Sequence, residues 1–290
     1  MKVSGFTFLR NGQMLGYPFV ESIRSILPIV DEFVVALGPC EDETEAAIRG
    51  IGDPKVKVIQ TAWNERIRND LRIQGFVYGQ QKSIALFNCT GDWAFYLEAD
   101  EVVHESDLEK IKGSMQKHLD NPEVEALVFD YLHFYGNQNT YAWSPRWYRT
   151  APRIVRNTIP IWGPKGLFFI VMDTAKKGRY PKAAHAGGTI YHYGWVRSED
   201  QMNLKSSRAA KFWSNKASSV DYSEIDPLTL KRFEGSHPKV VQNWLPPADG
   251  LFQVNSSHQL SRRERKHRWM LKLERCFGLE LSKKHYRLVA

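Results

Sequence analysis

Trp93-Ala94-Phe95-Tyr96-Leu97-Glu98-Ala99-Asp100-Glu101 is the stretch whose reading decides the fold. Five aromatic and aliphatic residues, the profile of a strand buried on both faces, run straight into three carboxylates within four positions. An apolar layer does not hold unpaired carboxylates, because their desolvation costs too much. Glu98 and Asp100 are therefore expected to emerge at the carboxyl end of the strand, where open α/β sheets place their ligand crevices. Two positions apart in extended backbone, they leave on the same face. Two converging carboxylates suit a hard divalent cation that carries phosphate oxygens. The competing reading is a solvated acidic turn, since residues 101–107 are polar enough to cap a helix.

Outward from this strand the chain alternates. Val3 to Leu9 reads as a strand closed by Arg10-Asn11-Gly12, Tyr17 to Ile29 as an amphipathic helix, and Glu32 to Leu37 as a second strand. A polar turn, Gly38 to Thr44, leads to a short helix over 45–51 and a third strand, Val56 to Gln60. This βαβαβ opening is the nucleotide-binding half of a doubly wound sheet. Trp63 to Asn69 is irregular and polar, and Phe76 to Phe87 is a helix. Beyond the acidic stretch come a helix over 108–119 and strands at 126–131, 153–156, 167–172 and 189–193. A helix is expected over 202–213. His133 to Trp147 changes to aromatics, Asn and Gly with few aliphatics, which reads as an acceptor-side excursion rather than a core element; Tyr135, Tyr141, Trp143, Trp147, Tyr148 and Trp162 are candidate sugar-stacking rings. Asp221 to Asp249 reads as a loose connection. The division expected is one domain over 1–220, its nucleotide half ending near 102, followed by a linker and basic helical extension over 221–290.

With 290 residues, 42% hydrophobic and 25% charged, the composition is that of a soluble globular protein. Cys40, Cys89 and Cys276 are far apart with no CxxC pair, which points to a reducing compartment and away from structural zinc. No secretory apolar region follows Met1, and no apolar run approaches the roughly eighteen residues of a spanning helix. A cytoplasmic protein is the expectation. The net charge of +8 is carried largely after residue 260, by Arg262, Arg263, Arg265, Lys266, Arg268 and the lysines and arginines beyond. A basic appendage on a globular enzyme fits that distribution better than a nucleic-acid-binding fold, and no specific nucleic-acid partner is expected.

Taken in order, "FTFLRN" (residues 6–11), "GPCEDET" (38–44), "LEADE" (97–101), "PRIVRN" (152–157) and "YHYGW" (191–195) resemble the family 2 glycosyltransferases of GT-A fold over about residues 3–215. The match is to the bacterial branch whose metal motif reads acidic-Ala-Asp-Glu. The resemblance implies a nucleotide-sugar donor, a UDP-sugar foremost, and Mg²⁺ or Mn²⁺ on its diphosphate. It implies Asp100 as metal ligand, with Glu98 at the ribose or the metal's water shell. Leu9, Arg10 and Asn11 would cup the base, and Asp42, two before Thr44, would supply an acid. Leu37 and Gly38 stand where the family's usual acid falls at the end of the second strand. Late histidines of similar enzymes reach the same metal, which singles out His192 against its reading as a core histidine. Lys82 is a candidate cation for the diphosphate, against its reading as a solvated helix lysine. Inverting transfer needs a base for the acceptor hydroxyl; Gly163-Pro164-Lys165-Gly166 offers no acid, so Asp130 is the candidate, ahead of Asp173, Glu199 and Asp200.

The acceptor implied is a glycan or a lipid-linked glycoconjugate of a bacterial surface. Residues 261–277 carry Trp269, Met270, Leu273, Cys276 and Phe277 at helical spacing opposite a basic face, which suits either peripheral contact with the inner face of the membrane or docking on the chain's own domain. Two other readings stay open: a catalytically inactive module that binds a glycan or partner, and a sugar-phosphate nucleotidylyltransferase.

Overall fold

Trp93–Tyr96 forms the strand that the sequence demands, with Trp93 and Phe95 in one apolar layer and Ala94 and Tyr96 in the other. The computed structural model describes residues 1–67, 74–175, 177–213, 219–247 and 253–289; the ends of the two segments read above as far as Asn69 and Asp249 lie outside the described residues. In chain order the elements are β1 (Val3–Leu9), α1 (Phe19–Ile26), β2 (Glu32–Leu37), α2 (Thr44–Arg49), β3 (Val56–Gln60), α3 (Phe76–Phe87) and β4 (Trp93–Tyr96). There follow β5 (Glu101–Val103), α4 (Leu108–Lys117), β6 (Ala126–Tyr135), β7 (Asn137–Ala142) and β8 (Thr150–Arg156). A small separate sheet holds β9 (Ile161–Trp162), β10 (Ile170–Met172) and β11 (Gly178–Arg179). The chain closes with β12 (Lys182–Trp195), α5 (Glu199–Trp213), β13 (Leu230–Arg232), α6 (Arg262–Phe277) and β14 (Arg287–Leu288).

The main sheet runs β13-β7-β6-β8-β4-β1-β2-β3, with β12 beside β6 and flanked by β5 and β14. β3, β2, β1 and β4 are parallel, the βα half expected; β8 is antiparallel to both β4 and β6, so the sheet is mixed beyond β4. Helices cover both faces. Ile23 and Ile26 of α1, Ile48 of α2 and Ile111 and Met115 of α4 share the layer of Phe95, while Ala85 and Leu86 of α3 share that of Tyr96. The α/β class with helices on both faces is therefore the one the chain adopts, and the carboxyl end of β4 opens at the centre of the sheet.

Three expectations on elements are corrected. Residues 133–142 of the stretch read as an excursion belong to the main sheet: β6 runs on through His133 to Tyr135, Gly136 turns at φ 72°, and β7 returns antiparallel. Its aromatics pair across strands, which offsets the weak strand preference of Asn and Gln. The strand expected over 167–172 begins only at Ile170, because residues 163–168 turn over α3. Residues 221–247 are not a loose linker: β13 hydrogen-bonds to β7, and β14 joins β12. The extension over 221–290 thus supplies two edge strands of the same sheet.

The tail helix α6 is capped by Ser261 and Glu264 in a reciprocal pair. It docks through buried Leu271 and Glu274, the latter paired with Arg149 at 2.7 Å, and Arg268 forks onto Asp226 at 2.6 and 2.9 Å. Trp269, Cys276 and Phe277 do not oppose the basic residues, as expected from the sequence, but share their exposed side.

Candidate active site

The carboxylates converge, by a different route from the one expected. β4 stops at Tyr96, and residues 98–101 turn, with Glu101 N–H donating to the Glu98 carbonyl at 3.0 Å and Glu98 N–H to Glu101 Oε2 at 3.0 Å. The turn, not an extended pair, sets Glu98 and Asp100 side by side. Across from them β12 brings His192, pinned by Tyr193 N–H donating to the Asp100 carbonyl at 2.8 Å. One ligand atom each from Glu98, Asp100 and His192 lies within 4.8 Å of the others. A Cβ at Gly194 would sit 2.4 Å from His192 Nε2 and 3.0 Å from Asp100 Oδ2. Glycine therefore leaves open the space between these donors, and two carboxylates with an imidazole are an apt set for a hard divalent ion such as Mg²⁺ or Mn²⁺.

Glu101, the third acid, is structural. It is fully buried in a fork of the Arg153 guanidinium at 2.6 and 2.7 Å, and the Tyr131 hydroxyl donates to it at 2.9 Å. Arg153 also reaches Glu98 at 3.3 Å. Burial, with Glu101 and Asp100 nearby, pushes the Glu98 carboxyl above its usual range, against the pull of Arg153 and Lys82. Burial acts the same way on Asp100, but the cations of Lys205 at 3.1 Å and Arg197 at 3.5 Å outweigh it and hold this carboxyl well below the usual range. Burial also lowers His192, against the raising pull of Asp100 and Glu101.

Of these groups Glu98, Asp100 and Lys205 line a cleft of about 270 Å³, with His192 beside Asp100 behind its wall. Leu9, Arg10 and Asn11 line it with Glu98 and Asp100, and so do Trp63, Glu41, Lys205 and Arg208. Arg10 pairs with Glu65 at 2.5 Å and Glu41 at 3.6 Å; Arg208 meets Glu41 at 3.3 Å. Trp63 explains Gly38: a Cβ there would fall 2.4 Å from its Nε1, so the indole covers the place where the resembled family carries an acid.

Three expected site residues are placed elsewhere. Asp42 is not on the cleft wall. Its carboxylate accepts from Met14 N–H at 2.7 Å and from Thr44, stitching the turn after β2 to the turn after β1, and the neighbouring Glu41 faces the cleft instead. Lys82 is fully buried behind the wall, donating to the carbonyls of Gly166 at 3.0 Å and Phe168 at 3.4 Å over the rings of Phe169 and Tyr96. Its helix face is covered by the 163–168 turn, so it braces that turn. Asp130 is exposed, two strands from β4, with His185 and Glu280 as its charged neighbours, and is no part of the cleft. Among the described residues, the carboxylates that line the cleft are Glu41, Glu98 and Asp100.

Sequence reasoning passed over Arg153, Arg197 and the inner face of α5. The signal for the last was there: Lys205, Arg208, Ala209 and Phe212 recur at helical spacing, and all four line the cleft.

No protein-family model and no curated protein matches this chain. Among solved structures it is similar to S. aureus TarS 1–349, at 16% identity and TM-score 0.36 over 54% of this chain and 47% of that one. Another is glucosyl-3-phosphoglycerate synthase from Mycobacterium tuberculosis with Mn²⁺, UDP and glucosyl-3-phosphoglycerate, at 17% identity and TM-score 0.32 over 47% and 45%. The chain spans about half the length of either. Likeness of this depth carries nothing about activity, which is argued below from the site itself.

Proposed function

We propose that this chain is a metal-dependent glycosyltransferase that takes its sugar from a nucleotide-sugar, a UDP-sugar foremost, and passes it with inversion to a glycan or lipid-linked acceptor. One observation carries the reading: Glu98, Asp100 and His192 converge around the space left by Gly194, and the two acids also line a cleft whose other walls present Arg10, Lys205 and Arg208. Acids alone would repel a diphosphate, and cations alone would need no acid cluster; the two together suit a diphosphate carried on a metal. Glu98, Asp100 and His192 would hold that ion, which neutralises the leaving diphosphate as the glycosidic bond breaks. Lys205 and Arg208 attract the same anion from α5, and Trp63 beside Leu9 and Asn11 offers a flat apolar wall to a base. No helix among the described residues is long and apolar enough to cross a membrane. We place the chain at the cytoplasmic membrane surface through the exposed side of α6, where Trp269 and Phe277 stand among arginines and lysines.

Calorimetric titration with UDP tests the core of this reading. Binding is expected with Mn²⁺ and lost with a chelator, and a screen of UDP-sugars is expected to show slow Mn²⁺-dependent hydrolysis. Gly194→Ala and Asp100→Asn should each remove the metal-dependent part. UDP affinity indifferent to metal, or undiminished in Gly194→Ala, would sink the assignment.

A further inference from the structure

We infer that His133 is a positioning residue that fixes His192 in its Nδ1–H tautomer, so that Nε2 turns a lone pair toward Asp100 and Glu98 for a divalent cation. The inference deepens the metal reading above and rests on it. Its argument is an accounting of protons along a chain of three groups. His133 Nε2 lies 2.7 Å from the Tyr148 carbonyl oxygen. A carbonyl only accepts, so the proton sits on His133 Nε2. In a neutral imidazole that leaves a lone pair on Nδ1, and His133 Nδ1 is 3.0 Å from His192 Nδ1. One of two nitrogens at this distance must donate, and only His192 can. With its proton on Nδ1, His192 has a bare Nε2.

That bare nitrogen faces Asp100 Oδ1 at 3.6 Å, with no proton between them. Two lone pairs turned toward one another across a buried gap repel. A cation shared between them removes the repulsion, and Gly194 keeps the gap open. The arrangement has the form of a metal-binding histidine whose second nitrogen is held by an outer partner. Here the partner is another histidine, itself anchored on backbone.

The surroundings fix the plane of His133. It is 2% exposed, stacked on Tyr131 with centroids 5.2 Å apart, and set edge-on to Tyr148 at 4.7 Å. Trp147 closes a third side at 5.2 Å. A ring so caged cannot turn Nδ1 away from His192. This gives part of the aromatic cluster after residue 133 a task distinct from sugar stacking: these rings orient an acceptor for the ligand's proton.

Two measurements decide the matter. In the metal-free protein, nitrogen–proton correlation spectra separate the two imidazole tautomers. The chain has nine histidines, so a His192→Gln spectrum is needed to identify the signals of His192. The Nδ1–H form is expected; finding Nε2–H or the imidazolium overturns the inference. In parallel, Mn²⁺ uptake is followed by electron paramagnetic resonance. His133→Leu removes the acceptor and should weaken Mn²⁺ about tenfold or more. His133→Asn places an amide oxygen near the old Nδ1 and should restore most of that loss. Equal affinity in His133→Leu overturns the positioning role, and so does equal weakness in both variants, which would mean packing and not the hydrogen bond. A wild-type protein that takes up no Mn²⁺ defeats the metal reading and with it the role toward a cation, while the nitrogen spectra still decide the tautomer separately.

Discussion

Lys205 and a metal ion make opposite claims on Asp100. The ammonium lies 3.1 Å from Oδ2 and Arg197 stands 3.5 Å from the same oxygen, so a cation entering beside His192 competes with charges already in place. Lys205→Met removes one competitor. Mn²⁺ alone should then bind about fivefold tighter, the worth of roughly 1 kcal/mol for a partly exposed pair. The Mn²⁺–UDP complex should bind more weakly, because Lys205 also lines the cleft that the diphosphate would enter. Opposite signs for metal and metal-nucleotide in paired calorimetric titrations are the expected signature; a weaker Mn²⁺ affinity in the variant would show that Lys205 does not compete. This pairing was out of reach of the sequence for a plain reason. Asp100 and His192 announce themselves by the strand ends they occupy, whereas Lys205 meets Asp100 across 105 residues and by a helix face that reads equally well as solvated. Asp42 erred in the other direction. A short acid after a strand is as apt to accept from nearby backbone N–H groups as to wait for a ligand, and Met14 and Thr44 use it so.

Among the elements, the first residue of β2 ties together three that are separate in the chain. Glu32 is 2% exposed; it accepts from Ser4 of β1 at 2.7 Å and from Thr90 N–H before β4 at 2.8 Å, and pairs with Lys57 of β3 at 2.6 Å. Burial opposes its charge, but Lys57, Ser4 and Thr90 prevail and hold the carboxyl down at about 2 against an ordinary 4.5. A folded pKa below the unfolded one stabilises above the unfolded value and is lost as pH falls through the folded one. Glu32→Gln should therefore cost about 2–3 kcal/mol at pH 7, and the gap from wild type should close between pH 4.5 and about 2. Urea midpoints of the two proteins compared at pH 7 and pH 3 measure it; a gap independent of pH would assign the loss to packing. Parallel strands of this kind were legible because both faces are buried and the apolar runs are continuous, as in Trp93–Tyr96. The hairpin of β6 and β7 was not. Its strand Asn137–Ala142 has no apolar alternation and takes its shape from cross-strand partners and from the turn at Gly136. Gly163 to Gly166 reads as a turn, but its seat on α3 was equally hidden, since it fits only because Gly79 of α3 has no side chain: a Cβ there would lie 2.3 Å from the Pro164 carbonyl oxygen.

For the molecule as a whole, the net charge of +8 acts through where it is displayed. At about 100° per residue, Arg262, Arg265, Lys266, Trp269, Lys272 and Phe277 fall on one side of α6, opposite the buried Leu271. Trp269 is 63% exposed and Phe277 68%, and Leu279 beyond the helix is 56% exposed. Docking through Leu271, Glu274 and Arg268 accounts for the inner side of the helix but for none of these. Rings set among cations are what an anionic lipid surface binds: aromatic groups enter the headgroup layer while the lysines and arginines meet its charge. Sedimentation with vesicles containing phosphatidylserine should therefore carry the protein down at low salt and release it as salt rises, with little capture by neutral vesicles. Reversing Arg265 and Lys266 to Glu should cost about thirtyfold or more in vesicle affinity, at about 1 kcal/mol for each basic group removed from near the surface. Both residues are exposed, so the fold should survive the exchange, as circular dichroism can check. Trp269→Ala should weaken capture while leaving its salt dependence intact, because it removes insertion and not charge. If anionic vesicles are ignored at low salt, or single-stranded RNA is bound instead with the same steep salt response, this side of α6 belongs to another partner and the chain is not held at a membrane by its tail.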